Sequence, residues 1–281
     1  MTQIRGCKRL LICFAATLIA ATVACGQDRA KTPSAAAAGD GHLAWAERLV
    51  REVAPNRNEY ASQPSVVTWA GVDGAGETRN RSVCSTFVAA LFERAYGYSA
   101  DDMVGWLGSA SPTAAEFYAE INASRGFARV DRVTNVAPGD IIAVLYPPGS
   151  RPTGHVMVAD SAARLRSATA PIVPDTTQYE VDVIDSSSTG HGPSDTRSSG
   201  NGQFHSGVGK GTLRLFVDPS GTIVGYSWST LAVSKFVAHA QRPVLVGRIN
   251  NSFPAGQGRR GRVAVEHTDE DAETPGSASQ P

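Results

Sequence analysis

Apolar positions along the chain change their period near its middle. Leu43, Ala46, Leu49 and Val50 recur at helical spacing and predict a helix over His42 to Val53. Cys84, Phe87, Val88, Leu91, Phe92 and Ala95 form a longer stripe of the same kind. Ser82 is placed to cap that helix and Gly97 to close it. Ser111 to Ile121 reads as a third helix, capped by Ser111 with Pro112 at its first position. From Ile141 onward the pattern alternates or runs β-branched. Strands are predicted at Ile141–Tyr146, His155–Ala159, Tyr179–Ile184, Thr212–Val217, Ile223–Trp228 and Val244–Ile249, with Asp218-Pro219-Ser220-Gly221 as a hairpin turn. Helices first and strands afterwards predict an α+β domain, its N-terminal helices packed on a central antiparallel sheet.

The two ends of the chain depart from both patterns. Arg5, Lys8 and Arg9 precede an apolar run from Leu10 to Val23, and Thr22-Val23-Ala24 offers small residues for cleavage, so 1–25 reads as an export signal. That run is shorter than the roughly 20 residues a membrane span requires. Cys25 stands where a lipoprotein signal carries its lipidated cysteine, which leaves lipid anchoring and plain secretion both open. Residues 26–40 are a low-complexity linker of Ala, Gly, Pro and Ser. Residues 251–281 are polar, with the acidic run Asp269-Glu270-Asp271, and are expected to be disordered. The folded body is then 41–250, about 210 residues, enough to bury one core. Lys plus Arg equal Asp plus Glu at 26 each, and this balance argues against a nucleic-acid partner. The expectation is an exported monomer of the periplasm or cell envelope, touching a membrane only through an anchor at Cys25.

Export makes the cysteines informative. Cys7 and Cys13 lie in the signal and Cys25 at its end, so Cys84 is the one thiol of the body. A structural cysteine in an oxidising compartment calls for a partner, and Cys84 has none; a small buried hydrophobe is its plain alternative. Its place in the first turn of a helix favours a thiolate and offers N–H groups to an oxyanion. His155 begins the strand His155-Val156-Met157-Val158-Ala159 and is the candidate base. Asp185 ends the strand that follows and is the candidate for orienting the imidazole. His191, which follows closely, is the reserve for that role, although His191 and His205 sit in a Gly/Ser-rich loop that reads as solvated. Helix-start cysteine, strand histidine and next-strand acid follow the chain order of papain-like hydrolases. Gly71 to Thr78 has phosphate-loop spacing but carries Glu77 where lysine is needed. The glycines of Gly207-Val208-Gly209-Lys210-Gly211 lead into a strand instead of a helix. No paired Cys ligands or HExxH motif occur, so neither a metal nor a cofactor is expected.

Cys84-Ser85-Thr86-Phe87-Val88 resembles the cysteine motif of the NlpC/P60 cell-wall peptidases, with Val83 and Thr86 where that family commonly has Asp and Gly. Pro138-Gly139-Asp140-Ile141-Ile142 and Gly154-His155-Val156-Met157-Val158 are similar to the segments that precede and carry the family's histidine. Tyr60 and Trp69-Ala70-Gly71 resemble an aromatic segment that lines its site. The resemblance spans 60–190 and implies a papain-like fold and a cysteine peptidase acting on peptidoglycan stem peptides through a Cys84 thioester. It also implies that Tyr60, Trp69 and Ser85 line the substrate site. It leaves 205–250 unassigned, and it explains the distance from His155 to Asp185 as an inserted loop over Ala162 to Thr177. Two alternatives stand beside it: a non-catalytic envelope binding module of the same fold, and a CHAP-like amidase or acyltransferase.

Overall fold

The computed structural model describes residues 41–250. The predicted signal, the Cys25 anchor, the linker and the tail lie outside the described residues. Helix α1 (His42–Glu52) comes first, and a short three-stranded sheet follows, built from β1 (Asn58–Tyr60), β2 (Val66–Thr68) and β3 (Arg79–Ser82) in the order β1-β3-β2. Strand β3 runs through Val83 straight into α2 (Cys84–Tyr96), so Cys84 stands at a strand-to-helix junction. Helices α3 (Ala100–Leu107) and α4 (Ala114–Asn122) complete the helical half.

The second half is a single large antiparallel sheet. Its strands are β4 (Phe127–Arg129), β5 (Ile141–Leu145), β6 (Gly154–Ala159), β7 (Arg164–Leu165), β8 (Thr177–Ser187), β9 (Gly207–Val217), β10 (Ile223–Ser227), β11 (Val237–Ala238) and β12 (Val244–Ile249). They run β11-β10-β9-β8-β6-β5-β12-β4, with β7 added on β8. The protein is α+β, as the change of period predicts.

Alternation along the strands divides the apolar residues into two cores. Ile141, Ala143, Val156, Val158 and Ile184 face the helices, against Phe87, Val88, Leu91 and Phe92 of α2. Ile142, Val144, Met157, Val181, Val183, Leu213 and Leu215 face the other way. That second face is covered by the sheet itself, which curls until its far ends meet: the Val133 N–H donates to the Gly221 carbonyl at 3.0 Å, joining the segment after β4 to the β9–β10 turn.

The small sheet is fastened to the large one by buried polar groups. Asn58 accepts from the Val208 N–H and donates to the Val208 carbonyl, both at 2.7 Å, while Asn80 donates to Asn58 Oδ1 at 2.9 Å. Ser186 Oγ donates to the Ser82 carbonyl at 2.8 Å. These bonds set the start of α2 against the ends of β8 and β9.

Several local expectations need correction. Ser82 does not cap α2, because its hydroxyl donates to Asn80 Oδ1 at 2.6 Å from within β3. The N-cap is Val83, which has no acceptor to offer, and Gly97 closes the helix in the left-handed region at φ 72°. The third predicted helix starts at Ala114, not at Ser111. Thr113 takes the cap because Glu116, three residues on, bonds back to its N–H at 2.7 Å. Helix α3, capped by Ser99, had no recognised signal in the apolar pattern. The 162–177 insertion is partly ordered, adding β7 to the edge of β8. Residues 205–250, unassigned from motifs, supply four strands of the sheet.

Removing the Asn58 side chain leaves the Val208 amide without its partners. Asn58→Ala is expected to lower stability by about 2–4 kcal/mol, read from the urea midpoint.

Candidate active site

The β6–β8 pairing places the base and the carboxylate. Val158 lies opposite Ile184 and Ala159 opposite Val183, so the register extended by one sets Met157 beside Asp185. His155 is then a diagonal neighbour of Asp185 on the same face, within reach of a long side chain. His155 Nε2 donates to Asp185 Oδ2 at 2.6 Å. His155 also hydrogen-bonds Cys84, and with Nε2 committed to Asp185, Nδ1 is left for the sulfur. His155 shares its face with Met157 and Ala159 of the second core, whereas Cys84 belongs to the first. The thiol therefore meets the imidazole at the start of β6, where α2 begins, and not through the helix–sheet core.

The uncapped start of α2 matters here. No side chain accepts from its first N–H groups, because the N-cap is valine. Donors usually quenched by Ser, Thr or Asp remain for a thiolate or an oxyanion.

Asp185 is wholly buried and has three partners. Besides His155, its Oδ1 accepts from Arg197 Nη2 at 2.8 Å and its Oδ2 lies 3.2 Å from His191 Nε2. His191 Nδ1 lies 2.7 Å from the Trp228 carbonyl. Both ring nitrogens of His191 are thus engaged, one by the Trp228 carbonyl and the other by the Asp185 carboxylate. Arg197 also donates to Asp195 through Nε at 2.9 Å and Nη2 at 2.8 Å, and through Nη1 to the Gly207 carbonyl at 3.0 Å. Asp195 in turn accepts from the His191 N–H at 2.8 Å. Asp185, Asp195, Arg197 and His191 thus interlock beneath the pair Cys84–His155.

A glycine strip on β9 makes room for this network. Gly209 lies opposite Asp185 and Gly207 opposite Ser187. A Cβ on Gly209 would stand 2.4 Å from Arg197 Nε, and one on Gly211 would stand 2.6 Å from Asp195 Oδ2. Burial opposes charge on Asp185, but Arg197, His191 and His155 together hold its carboxyl well below the usual range. Burial likewise disfavours the imidazolium of His155, yet the Cys84 charge and the bond to Asp185 outweigh it and raise the pKa to about 10.

Of the predicted residues, the structure brings Cys84, His155 and Asp185 together and puts Tyr60 beside them. Tyr60 lines a cleft of about 310 Å³ with Tyr146, Trp228 and Ser187. Its phenol is raised by burial and by the nearby Cys84. Trp69 does not line the site: its indole packs edge-on against Trp45, donates to the Trp45 carbonyl at 3.0 Å and is only 4% exposed. Ser85 is buried in the first turn of α2, outside that cleft. The solvated reading of His191 is overturned, since it is 1% exposed and stacks on Trp228 at 4.3 Å, while His205 is exposed as expected. Asp195, Arg197 and Trp228 went unrecognised. The alternate glycines of 207–211 were the available signal, because a strand with one bare face has to be filled by something else. Among the described residues no group of three or more His, Cys, Asp or Glu is arranged for a metal ion, and no helix is long and apolar enough to cross a membrane.

Two outcomes follow. Arg197→Met leaves two buried carboxylates short of a cation and is expected to cost on the order of 3–5 kcal/mol by urea denaturation. The raised His155 pKa adds stability that is complete below its ordinary 6.5 and is lost as pH rises through about 10. The excess melting temperature of the wild type over His155→Gln is therefore expected to shrink across that window.

No family model matches the chain, and no solved structure matches it. An uncharacterized protein of Acanthamoeba polyphaga mimivirus is 33% identical over 220 residues, covering 74% of this chain and 96% of the viral protein. Identity of that order along nearly the whole of the relative shows common descent, and the chain belongs to the same family as this mimivirus protein.

Proposed function

We propose that the protein is an exported cysteine hydrolase with a papain-like, NlpC/P60-type domain, cleaving an amide bond in peptidoglycan stem peptides. The observation that carries the hydrolase reading is the unbroken hydrogen-bonded run from Cys84 through His155 to Asp185. The choice of peptidoglycan rests on the resemblance of the cysteine and histidine motifs.

In this reading the Cys84 proton resides on His155, and the sulfur attacks the scissile carbonyl. The oxyanion forms beside the free N–H groups at the start of α2. His155 returns the proton to the leaving amine, and the thioester remains on Cys84. A water molecule, deprotonated by His155, then releases the acid and regenerates the thiol. Asp185 keeps its charge throughout and fixes the imidazole, and the ion network beneath keeps Asp185 from turning away.

One observation favours acyl transfer as a second reading. Cys84 is 3% and His155 5% exposed, so bulk water has little access to a thioester there. Product analysis on digested peptidoglycan, with and without an added amine, separates hydrolysis from transfer. Against a non-catalytic envelope module, the test is the thiol itself. Cys84 is expected to react with iodoacetamide faster than free cysteine at pH 7, and His155→Ala to slow it by about a hundredfold. Equal, sluggish labelling of both forms would sink the enzyme reading.

A further inference from the structure

The cleft beside Cys84 has a charge pattern that the proposed chemistry does not use. Tyr60, Tyr146, Tyr226 and Trp228 form its aromatic part, and Lys235 and Arg242 its charged part. No carboxylate lines it. Asp185, the nearest acid below, is already matched by Arg197 and His191. Neither Lys235 nor Arg242 forms an ion pair among the described residues. The Arg242 guanidinium carbon lies over the Tyr146 ring, 4.2 Å from its centroid. Stacking of that kind occupies the face of the guanidinium and leaves its N–H edge to bind outward. Tyr226 takes one hydrogen bond from it and leaves further donors. The cleft also communicates with the nucleophile, because the phenols of both Tyr60 and Tyr146 feel the charge of Cys84.

We infer that this cleft is an anion subsite, in which Lys235 and Arg242 receive a carboxylate of the substrate while the aromatic side chains hold its apolar stem. The inference rests on the hydrolase reading for the role of the ligand, and it names the substrate class: an acyl compound carrying a free carboxylate away from the scissile bond. A neutral substrate would leave two cations without partners in a half-enclosed cleft. A cationic one would be repelled.

The test compares 4-phenylbutyrate with its uncharged amide, 4-phenylbutyramide, by calorimetry on the full chain. The carboxylate is expected to bind roughly three- to fivefold tighter, the contribution of a partly exposed ion pair. The preference is expected to fade as salt is raised. Lys235→Gln changes an exposed side chain, so it is expected to fold normally, lose most of the preference and bind the amide as before. Arg242→Gln is expected to do the same, with circular dichroism checking that loss of the Tyr146 stack leaves the fold intact. Equal binding of the two probes, no binding of the carboxylate, or a preference that survives both substitutions would overturn the subsite. Calorimetry does not involve the thiol, so the outcomes separate. A charge preference with an unreactive Cys84 leaves the subsite and removes the hydrolase. A fast Cys84 without a charge preference does the reverse.

Discussion

A carboxylate with no access to water has to be surrounded by donors, and in this protein that requirement falls on Asp185. Its two oxygens take an arginine and two histidines, drawn from two separate parts of the chain. His155 arrives on β6, whereas His191 and Arg197 come from the long connection between β8 and β9. An unpaired carboxylate here would be protonated and would cease to hold the imidazole. The loop that looks least structured in the sequence is therefore the one that keeps the acid ionised.

The same requirement reaches into the sheet. Arg197 is too large to lie over an ordinary strand, so β9 has glycine at 209 and 211, beneath Arg197, Asp195 and His191, while Gly207 makes room for Asn58 of β1. Glycine weakens a strand interior through backbone entropy and lost packing. The length of the β8–β9 pairing, eleven residues on each strand, compensates by supplying a long ladder of backbone bonds. The Asn58 clasp on Val208 and the bond from Ser186 to the Ser82 carbonyl then set the start of α2 against the same strand ends. Cys84 is placed by the structure that stabilises Asp185.

How much of this is legible in the sequence depends on how local each cause is. Helix α2 and strands β5, β6 and β12 are read well because a buried stripe or alternation is a property of neighbouring residues. Cys84 stands out through its position in such a stripe and because the other three cysteines all fall within the first 25 residues, which read as an export signal. The starts of α2 and α4 are misread because capping is a competition, decided for Ser82 by Asn80 and for Thr113 by Glu116. Trp69 and His191 exchange expected roles for a further reason. An aromatic residue near a motif reads as a wall, but the indole packs against Trp45 of α1 and does not line the cleft. A histidine among Gly and Ser reads as solvated; its closeness to Asp185 is visible in the sequence, but its second partner, the Trp228 carbonyl, lies 37 positions on, where no local pattern points to it.

The two histidines on Asp185 are chemically unlike, and the difference bears on mechanism. His191 lies between a backbone carbonyl and a carboxylate, and among the described residues no group beside it could exchange a proton with a substrate. Its ring is held in place by these two partners and serves to fix the carboxylate. His155 lies between the carboxylate and a sulfur that can itself gain or lose a proton. Moving one proton from sulfur to nitrogen leaves that pair with no net change of charge, and so it needs no rearrangement of the buried ions below. Asp185, itself held ionised by Arg197, favours the imidazolium of His155 through its hydrogen bond. The buried ions thus supply a rigid base beneath the proton shared by Cys84 and His155.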